Sequence, residues 1–320
     1  MSKENLINIV STLYDKYETN TDIFNKFVQQ IELLPDMLEQ TNNNIIEKNK
    51  RKELLEKGSE QFIQKFLYNN KIYYHTTSEL FFEYKNNKYS LIKEDDVHHT
   101  ILTNITANQN LSPWKHKIKI TILKKIKERD IFTCIPESKT IQNVLNRLYP
   151  SICSSKEQAK YFLTVLGDIM LKKSSLIYIL NPKIKPFLKE VNNLGCIMFG
   201  TSNLWNIFKF KYYEHKLDEC RIMDLNDYNN IDNWNEYFKQ DNALDLFCVS
   251  AYYSNRYENA DIFLSENCKD DSLKLYTYYL KNNNEDKIVE IFISKTIEKS
   301  DGCCITWKNL QYLWKNFIDN

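Results

Sequence analysis

Lys71 to Pro150 reads KIYYHTTSELFFEYKNNKYSLIKEDDVHHTILTNI as far as Ile105, then LSPWKHKIKITILKKIKERD from Leu111 to Asp130, then IPESKTIQNVLNRLYP from Ile135 to Pro150. The rest of the chain is organised around this stretch. KIYYH and LFFEY are short aromatic runs that predict strands. Asn86-Asn87 predicts a tight turn into KYSLI, because Asn tolerates the left-handed backbone such a turn needs. Glu94, Asp95 and Asp96 then open a helix carrying Val97, Ile101, Leu102 and Ile105; carboxylates in a first turn meet free N–H groups and oppose the macrodipole. After Pro113 a strongly basic helix keeps Ile118, Ile122 and Ile126 on one stripe, and Ser138 to Leu148 forms a third amphipathic helix. A hairpin with helices is the makeup of a winged-helix-like unit, although permuted orders are equally allowed.

On the N-terminal side, Leu6, Ile9, Val10, Leu13, Tyr14 and Tyr17 share helical spacing, as do Ile23, Phe24, Phe27, Val28 and Ile31. Asp22 is the expected cap of the second helix and Pro35 its expected end. Asp36 to Lys57 thins into a solvated helix or linker stopped by Gly58, where a domain boundary is placed. Ser59 then caps a short helix bearing Phe62, Ile63, Phe66 and Leu67. On the C-terminal side, Lys156 to Lys172 predicts a helix with Phe162, Leu163, Leu166 and Met170. An α/β pattern follows: SLIYIL as a buried strand, a helix opened by Pro182 and ended by Gly195, and CIMF, FKFKYY and CRIMDL as three further strands. From Trp234 the chain is helical, broken at Asn282-Asn283-Asn284. It closes on ITWKNLQYLWKNFIDN, where Trp307, Leu310, Leu313, Trp314 and Phe317 make one apolar face.

The expected fold is α+β and mainly helical. Its parts are an N-terminal helical region (1–58), a winged-helix-like hairpin plus helices (59–172), a small α/β segment (173–231) and a helical C-terminal region (232–320). So large an apolar face at the end predicts that the chain runs on, or that another subunit covers it. No constant repeat period is evident, which disfavours a solenoid.

The 320 residues are 42% hydrophobic and 27% charged, ordinary values for a folded soluble protein, and the net charge is only +1. No global field draws the chain to DNA or a membrane, so any electrostatic site must be a local patch. Abundant Asn, Lys and Ile suit an A/T-rich coding sequence, as in parasites or viruses. No apolar signal core opens the chain and no run reaches membrane-spanning length, which predicts a soluble, unsecreted protein with no membrane partner. The eight cysteines include no Cys-x-x-Cys pair, so zinc has little support and reduced, mostly buried thiols are expected, Cys196 and Cys248 among them. Glycine stands only at 58, 167, 195, 200 and 302. Neither a Walker A loop nor a G-x-G-x-x-G turn can be written with those positions, and no Gly-x-Ser-x-Gly or His-Glu-x-x-His occurs. No catalytic residue and no cofactor are expected.

Four clusters carry possible chemistry. In the basic helix, Lys115, Lys117, Lys119, Lys124, Lys125, Lys127 and Arg129 face one acid, Glu128, with Trp114 and His116 interleaved. That is the footprint of phosphate contact, with Trp114, Tyr73 and Tyr74 to stack or pack; a solvated helix face is the plainer reading. Phosphate binding requires those cations on a shared surface, unmatched by the acids that gather between Asp218 and Asp245. Asp95, His98 and His99 have metal-ligand spacing on a helix, with His75 as a further ligand, yet an acidic cap with two half-exposed histidines explains them as well. His215, Glu219 and Arg221, in Phe208 to Arg221, would line a cleft at strand ends, or mark an edge strand guarded by charge. Trp307, Leu310, Trp314 and Phe317 have the composition of a protein-binding hot spot.

In YYHTTSELFFEYKNNKYSLIKEDDVHHTILTNI, PWKHKIKITILKKIKER, IPESKTIQNVLNRLYPSICSSKEQAKYFLTVLGDIML and ITWKNLQYLWKNF, the chain resembles a family of uncharacterised, Mimivirus-like proteins of giant nucleocytoplasmic large DNA viruses. The likeness runs from about Phe62 to the C-terminus. More loosely, the arrangement is similar to regions flanking the helicase module of viral primase-helicases, without the phosphate loop of an active helicase. The resemblance implies a viral setting, in the host cytoplasm (the viral factory) or the virion, a chain that continues past the Trp307–Trp314 helix, and no established catalytic residues. The expected function is a non-catalytic nucleic-acid-associated factor in DNA replication or gene expression, with DNA ahead of RNA and other viral replication or transcription proteins as further partners. A protein–protein scaffold and a cryptic metal-dependent nuclease are the alternatives.

Overall fold

The structure, a computed structural model, describes residues 2–200, 204–212, 215–226, 234, 236–238, 243–300 and 302–319. It is α+β and mainly helical, with two small sheets. The chain forms two compact units, Met1–Phe66 with Thr103–Ile118, and Leu67–Leu102 with Lys119–Asn320.

In the first unit, α1 (Lys3–Tyr17) is capped by Ser2, whose hydroxyl accepts the Asn5 N–H, and it buries no residue. Helix α2 (Thr21–Asn69) runs unbroken for 49 residues. Its cap is Asn20, which accepts the Ile23 N–H on its side chain and the Phe24 N–H on its carbonyl; Asp22 sits inside the first turn instead. Pro35 and Gly58, both expected to stop a helix, lie within α2. A proline frees one carbonyl, here that of Ile31, and on an exposed stretch water can take that bond. An interior glycine costs only about 1 kcal/mol relative to alanine. Ser59 is therefore a buried mid-helix residue rather than a cap, and with Ile63, Phe66, Ile105, Leu111 and Ile118 it belongs to the buried set of this unit.

The second unit opens with an antiparallel meander, β1 (Ile72–His75), β2 (Leu80–Lys85) and β3 (Lys88–Ile92), in register Tyr74–Phe81 and Tyr84–Tyr89. Asn86 and Asn87 take φ of 54° and 63°, the left-handed pair a two-residue hairpin requires. Helix α3 (Glu94–Thr106) starts on its three acids and buries Val97 and Ile101; α4 (Lys115–Lys127) follows, then α5 (Ser138–Leu148) and α6 (Lys156–Met170). The Tyr84 hydroxyl bonds Thr140 Oγ1 at 2.8 Å and ties β2 to α5.

Next come β4 (Ile177–Leu180), α7 (Lys185–Phe199), β5 (Phe208–Lys209) and β6 (Cys220–Met223). The three strands are parallel in the order β5-β4-β6, with Tyr178 opposite both Phe208 and Arg221. CIMF, expected as a strand, is the last turn of α7, and Gly195 is buried inside that helix. Phe187, Leu188, Val191, Gly195 and Phe199 continue one helical face through it, so the apolar run carried a period of 3.6 rather than 2. The helix ends at Gly200, where φ is 81°. FKFKYY shortens to two residues of strand, and its Tyr213 lies outside the described residues. The remaining main helices are α8 (Ala243–Tyr257), α9 (Asp271–Thr277), α10 (Glu285–Thr296) and α11 (Trp307–Asp319).

The core centres on α8, which is buried along nearly its whole length and lies against α6. Gly167 makes that approach possible: a Cβ there would stand 2.1 Å from the Ser250 carbonyl oxygen and 2.7 Å from Ser254 Cβ. Next to it, the buried Asp168 accepts the Ser254 hydroxyl at 2.6 Å and the Ala260 N–H at 2.7 Å. Helix α8 also reaches the first sheet, where Asp245 accepts the Tyr89 N–H at 2.8 Å, and the segment after α4, where Asn255 Nδ2 donates to the Phe132 carbonyl at 3.0 Å.

Gly167→Ala should lower the unfolding free energy of the second unit by at least about 3 kcal/mol, the upper end of ordinary overpacking, because the obstacle is backbone. Gly58→Ala, at a site with nothing within 4 Å of the added Cβ, should instead stabilise α2 by about 0.5–1 kcal/mol. Urea unfolding followed by circular dichroism checks both; equal effects at the two glycines would contradict the packing described.

Candidate nucleic-acid interface

Helix α4 is oriented by Ile118, Ile122 and Ile126, all fully buried at four-residue spacing. At about 100° per residue, Lys124 and Lys127 fall on the side away from this stripe, with Ile120 between them, and Lys119 and Lys125 flank its two borders. Lys124, Lys125 and Lys127 are exposed and Lys119 is half-buried. The cations thus fan around the open arc of the helix rather than forming a single ridge. The other requirement is neutrality of the surroundings. Described lysines elsewhere do pair with acids, as in Lys71–Glu137 (2.5 Å) and Lys160–Glu157 (2.7 Å), but none of these four forms an ion pair among the described residues. The acid-rich stretch between Asp218 and Asp245 falls partly outside the described residues.

Lys115, Lys117 and Trp114 belong to the first unit, where Lys117 Nζ stands 4.4 Å from the Trp114 ring centre. Arg129 holds the fold together. Its guanidinium donates to the Leu67 carbonyl at 2.8 Å, in the last turn of α2, and its own carbonyl accepts the Tyr74 N–H. A cation at helix-terminal carbonyls opposes the macrodipole. Tyr74 is buried, with Lys127 Nζ 5.3 Å from its ring centre and 5.8 Å from that of Phe81. The Lys127 ammonium therefore makes cation–π contacts with both rings, although the residue as a whole is exposed. Tyr73 packs on Tyr89, and burial pushes its hydroxyl up to about 12.

Glu94, Asp95 and Asp96 form the first turn of α3, with His98 Nε2 3.8 Å from Glu94. His75 bonds Ser78 through Nδ1 at 2.9 Å and sits edge-on to Phe132 and Phe199, and burial lowers its pKa. Among the described residues no three His, Cys, Asp or Glu side chains gather as a metal site. Arg221 is buried in a two-bond pair with Asp261 (3.0 and 2.6 Å), and it also donates to the Asp218 and Cys220 carbonyls. It therefore lines no open cleft; Glu219 pairs loosely with Lys216 at 3.7 Å, and the His215 carbonyl accepts the Tyr212 hydroxyl. On α11, Trp314 and Phe317 pack edge-on against the buried Phe292 of α10, at 4.9 and 5.3 Å between ring centres, with Leu310 half-buried. Trp307 is left 71% exposed. Cys196, expected to be buried, is exposed on α7.

Two acids to which no site role was assigned stand out in the core. Asp168 and Asp245 are both raised to about 6, burial being the first cause in each. The visible signal is a carboxylate inside an apolar run, LTVLGDIML for Asp168 and ALDLFCV for Asp245.

No helix of the described chain is long and apolar enough to cross a membrane. No protein-family model, curated protein or solved structure matches the chain.

The two core carboxyls make stability pH-dependent. Their folded-state values lie above the ordinary value near 4, so the stabilisation is complete below about pH 4 and is lost as pH rises through about 6. Urea midpoints should therefore fall from about pH 5 to pH 7.5. Asp168→Asn, which can still accept from Ala260 and donate to the Ser254 oxygen, should flatten that slope; an unchanged slope would show that Asp168 does not titrate in this range.

Proposed function

We propose that the chain is a non-catalytic, nucleic-acid-associated factor that grips the phosphate backbone through α4, with DNA as the favoured polyanion. The observation that carries this reading is the open arc of α4: Lys119, Lys124, Lys125 and Lys127 surround it with Glu128, the residue that follows the helix, as the one acid of the run, and none of the four forms an ion pair among the described residues. Because the net charge of the chain is only +1, the attraction comes from this patch and not from the molecule as a whole. A fan of cations on one helix suits a groove better than a flat track. The major groove admits an α-helix and presents a phosphate wall on either side. Lys119 and Lys125, on opposite borders of the buried stripe, would reach the two walls, with Lys124 and Lys127 between them. Replication or gene expression in a large DNA virus is the setting that the motif strings favour.

Fluorescence anisotropy of a labelled duplex against salt tests the proposal. Each phosphate contact contributes about 0.9 to the log–log salt slope on B-DNA. Reversing all four lysines to glutamate should remove most of that slope and weaken binding to every sequence alike, whereas Arg221 and Arg129 are unsuitable controls because both hold the fold. Binding with an unchanged slope in the fourfold variant would overturn the assignment.

A further inference from the structure

Two cysteines far apart in sequence meet in the core of the second unit. Cys248 lies on α8, and Cys134 ends the short turn Ile131–Thr133, which packs against that helix. Two anchors hold the surroundings to one face of α8: Asp245 accepts the Tyr89 N–H, and Asn255 donates to the Phe132 carbonyl. At about 100° per residue, Asp245, Cys248 and Asn255 fall within an arc of about 80°. Cys248 therefore stands between the anchors, and its thiol donates to the Cys134 sulfur. The Tyr89 hydroxyl, 3.1 Å from Cys134 Sγ, closes the group from the side of the first sheet.

The two sulfurs differ in access and in acidity. Cys248 is fully buried, whereas Cys134 is 8% exposed and is followed by Ile135, which is 78% exposed. A small oxidant arriving from solvent therefore meets Cys134 first. Bonds from the Cys248 thiol and then from the Tyr89 hydroxyl hold the Cys134 pKa below the ordinary thiol value, although burial opposes them. Burial, and after it the bond to Cys134, pushes Cys248 up. The thiolate is the reactive form, so Cys134 is suited to attack and Cys248 to resolve.

We propose that Cys134 and Cys248 form a reversible disulfide in response to a hydroperoxide, with Cys134 reacting first and Cys248 resolving it. The Cys134 sulfur attacks a peroxide oxygen; the O–O bond breaks, and the leaving oxygen takes the thiol proton, which leaves a sulfenic acid on Cys134. The Cys248 sulfur then attacks the Cys134 sulfur. The S–S bond forms as the S–O bond breaks, and the departing hydroxide leaves with the Cys248 proton as water. Both thiols are oxidised and one peroxide is reduced. The bond closes a loop of roughly 110 residues and ties the segment leaving α4 to α8. It is independent of the phosphate contacts assigned to α4.

The test uses the full chain with its exposed thiols replaced, Cys196→Ser/Cys303→Ser/Cys304→Ser, so that surface exchange is excluded. Hydrogen peroxide is added to the folded protein, remaining thiols are alkylated in urea, and peptides are mapped by mass spectrometry. The expected product is a linked pair of peptides carrying Cys134 and Cys248, lighter by two hydrogen atoms than the reduced pair and separated by a dithiol reductant. Adding Cys248→Ala should abolish the link and leave a Cys134 sulfenic acid that dimedone traps, and adding Cys134→Ala should leave Cys248 reduced. Circular dichroism before oxidation checks that both variants fold; should either fail, the peptides of the parent still decide. Alkylation of both Cys134 and Cys248 after peroxide overturns the proposal. So does a link through Cys153, Cys220 or Cys268, or a Cys134 sulfinic acid beside a free Cys248.

Discussion

Gly167 on α6 and the Ser250 carbonyl on α8 approach more closely than any residue with a side chain would permit. That contact sets how far α8 can sink into the core, and much of the second unit takes its position from α8. The strand β3 is held through Asp245, and the segment leaving α4 is held through Asn255. Burying a carboxylate is unfavourable unless it is hydrogen-bonded or neutralised. At Asp168 both remedies operate, since two donors face its oxygens and burial raises its proton affinity into the range near pH 6. A glycine and an acid side by side in an apolar helix thus form one device: the glycine admits the neighbouring helix and the acid fastens it.

Much of the fold was legible because local chemistry and tertiary packing agree. Asn86-Asn87 demanded left-handed backbone and has it, the acids at Glu94 to Asp96 open a helix, and α5 occupies the span its periodicity marked. The misreadings share one cause, which is that a local stop signal has a finite energy. Pro35 and Gly58 each cost a helix a few kcal/mol at most on an exposed stretch, and the residues on either side propagate α2 through both. Gly195 and the CIMF run failed likewise, because the apolar face of α7 continues past them to Gly200. Long-range partners were not legible at all. Nothing near Arg221 in sequence announces Asp261, nor does anything near Arg129 announce the Leu67 carbonyl. Residues expected at a functional surface were in these two cases spent on holding elements together.

What remains for function is therefore a narrower surface than residue type alone suggested. Cations held by a carboxylate or a carbonyl are set aside, and those on the open arc of α4 form no ion pair among the described residues, Lys127 lying over the Tyr74 and Phe81 rings. The aromatic residues follow the same division. Tyr74 and Phe81 lie under the Lys127 ammonium, and Trp314 and Phe317 are engaged by Phe292. A surface of this kind favours backbone charge over base identity, so it suits binding that is strong at low salt and tolerant of sequence.

Lysine acetylation mapped by mass spectrometry, with and without duplex DNA, tests the central claim most directly because it reads each ammonium group separately. The account predicts that Lys119, Lys124, Lys125 and Lys127 lose reactivity when DNA is present, while Lys71, Lys160 and Lys274 react as before. Uniform reactivity on α4 in the presence of bound DNA, or protection confined to another surface, would contradict it.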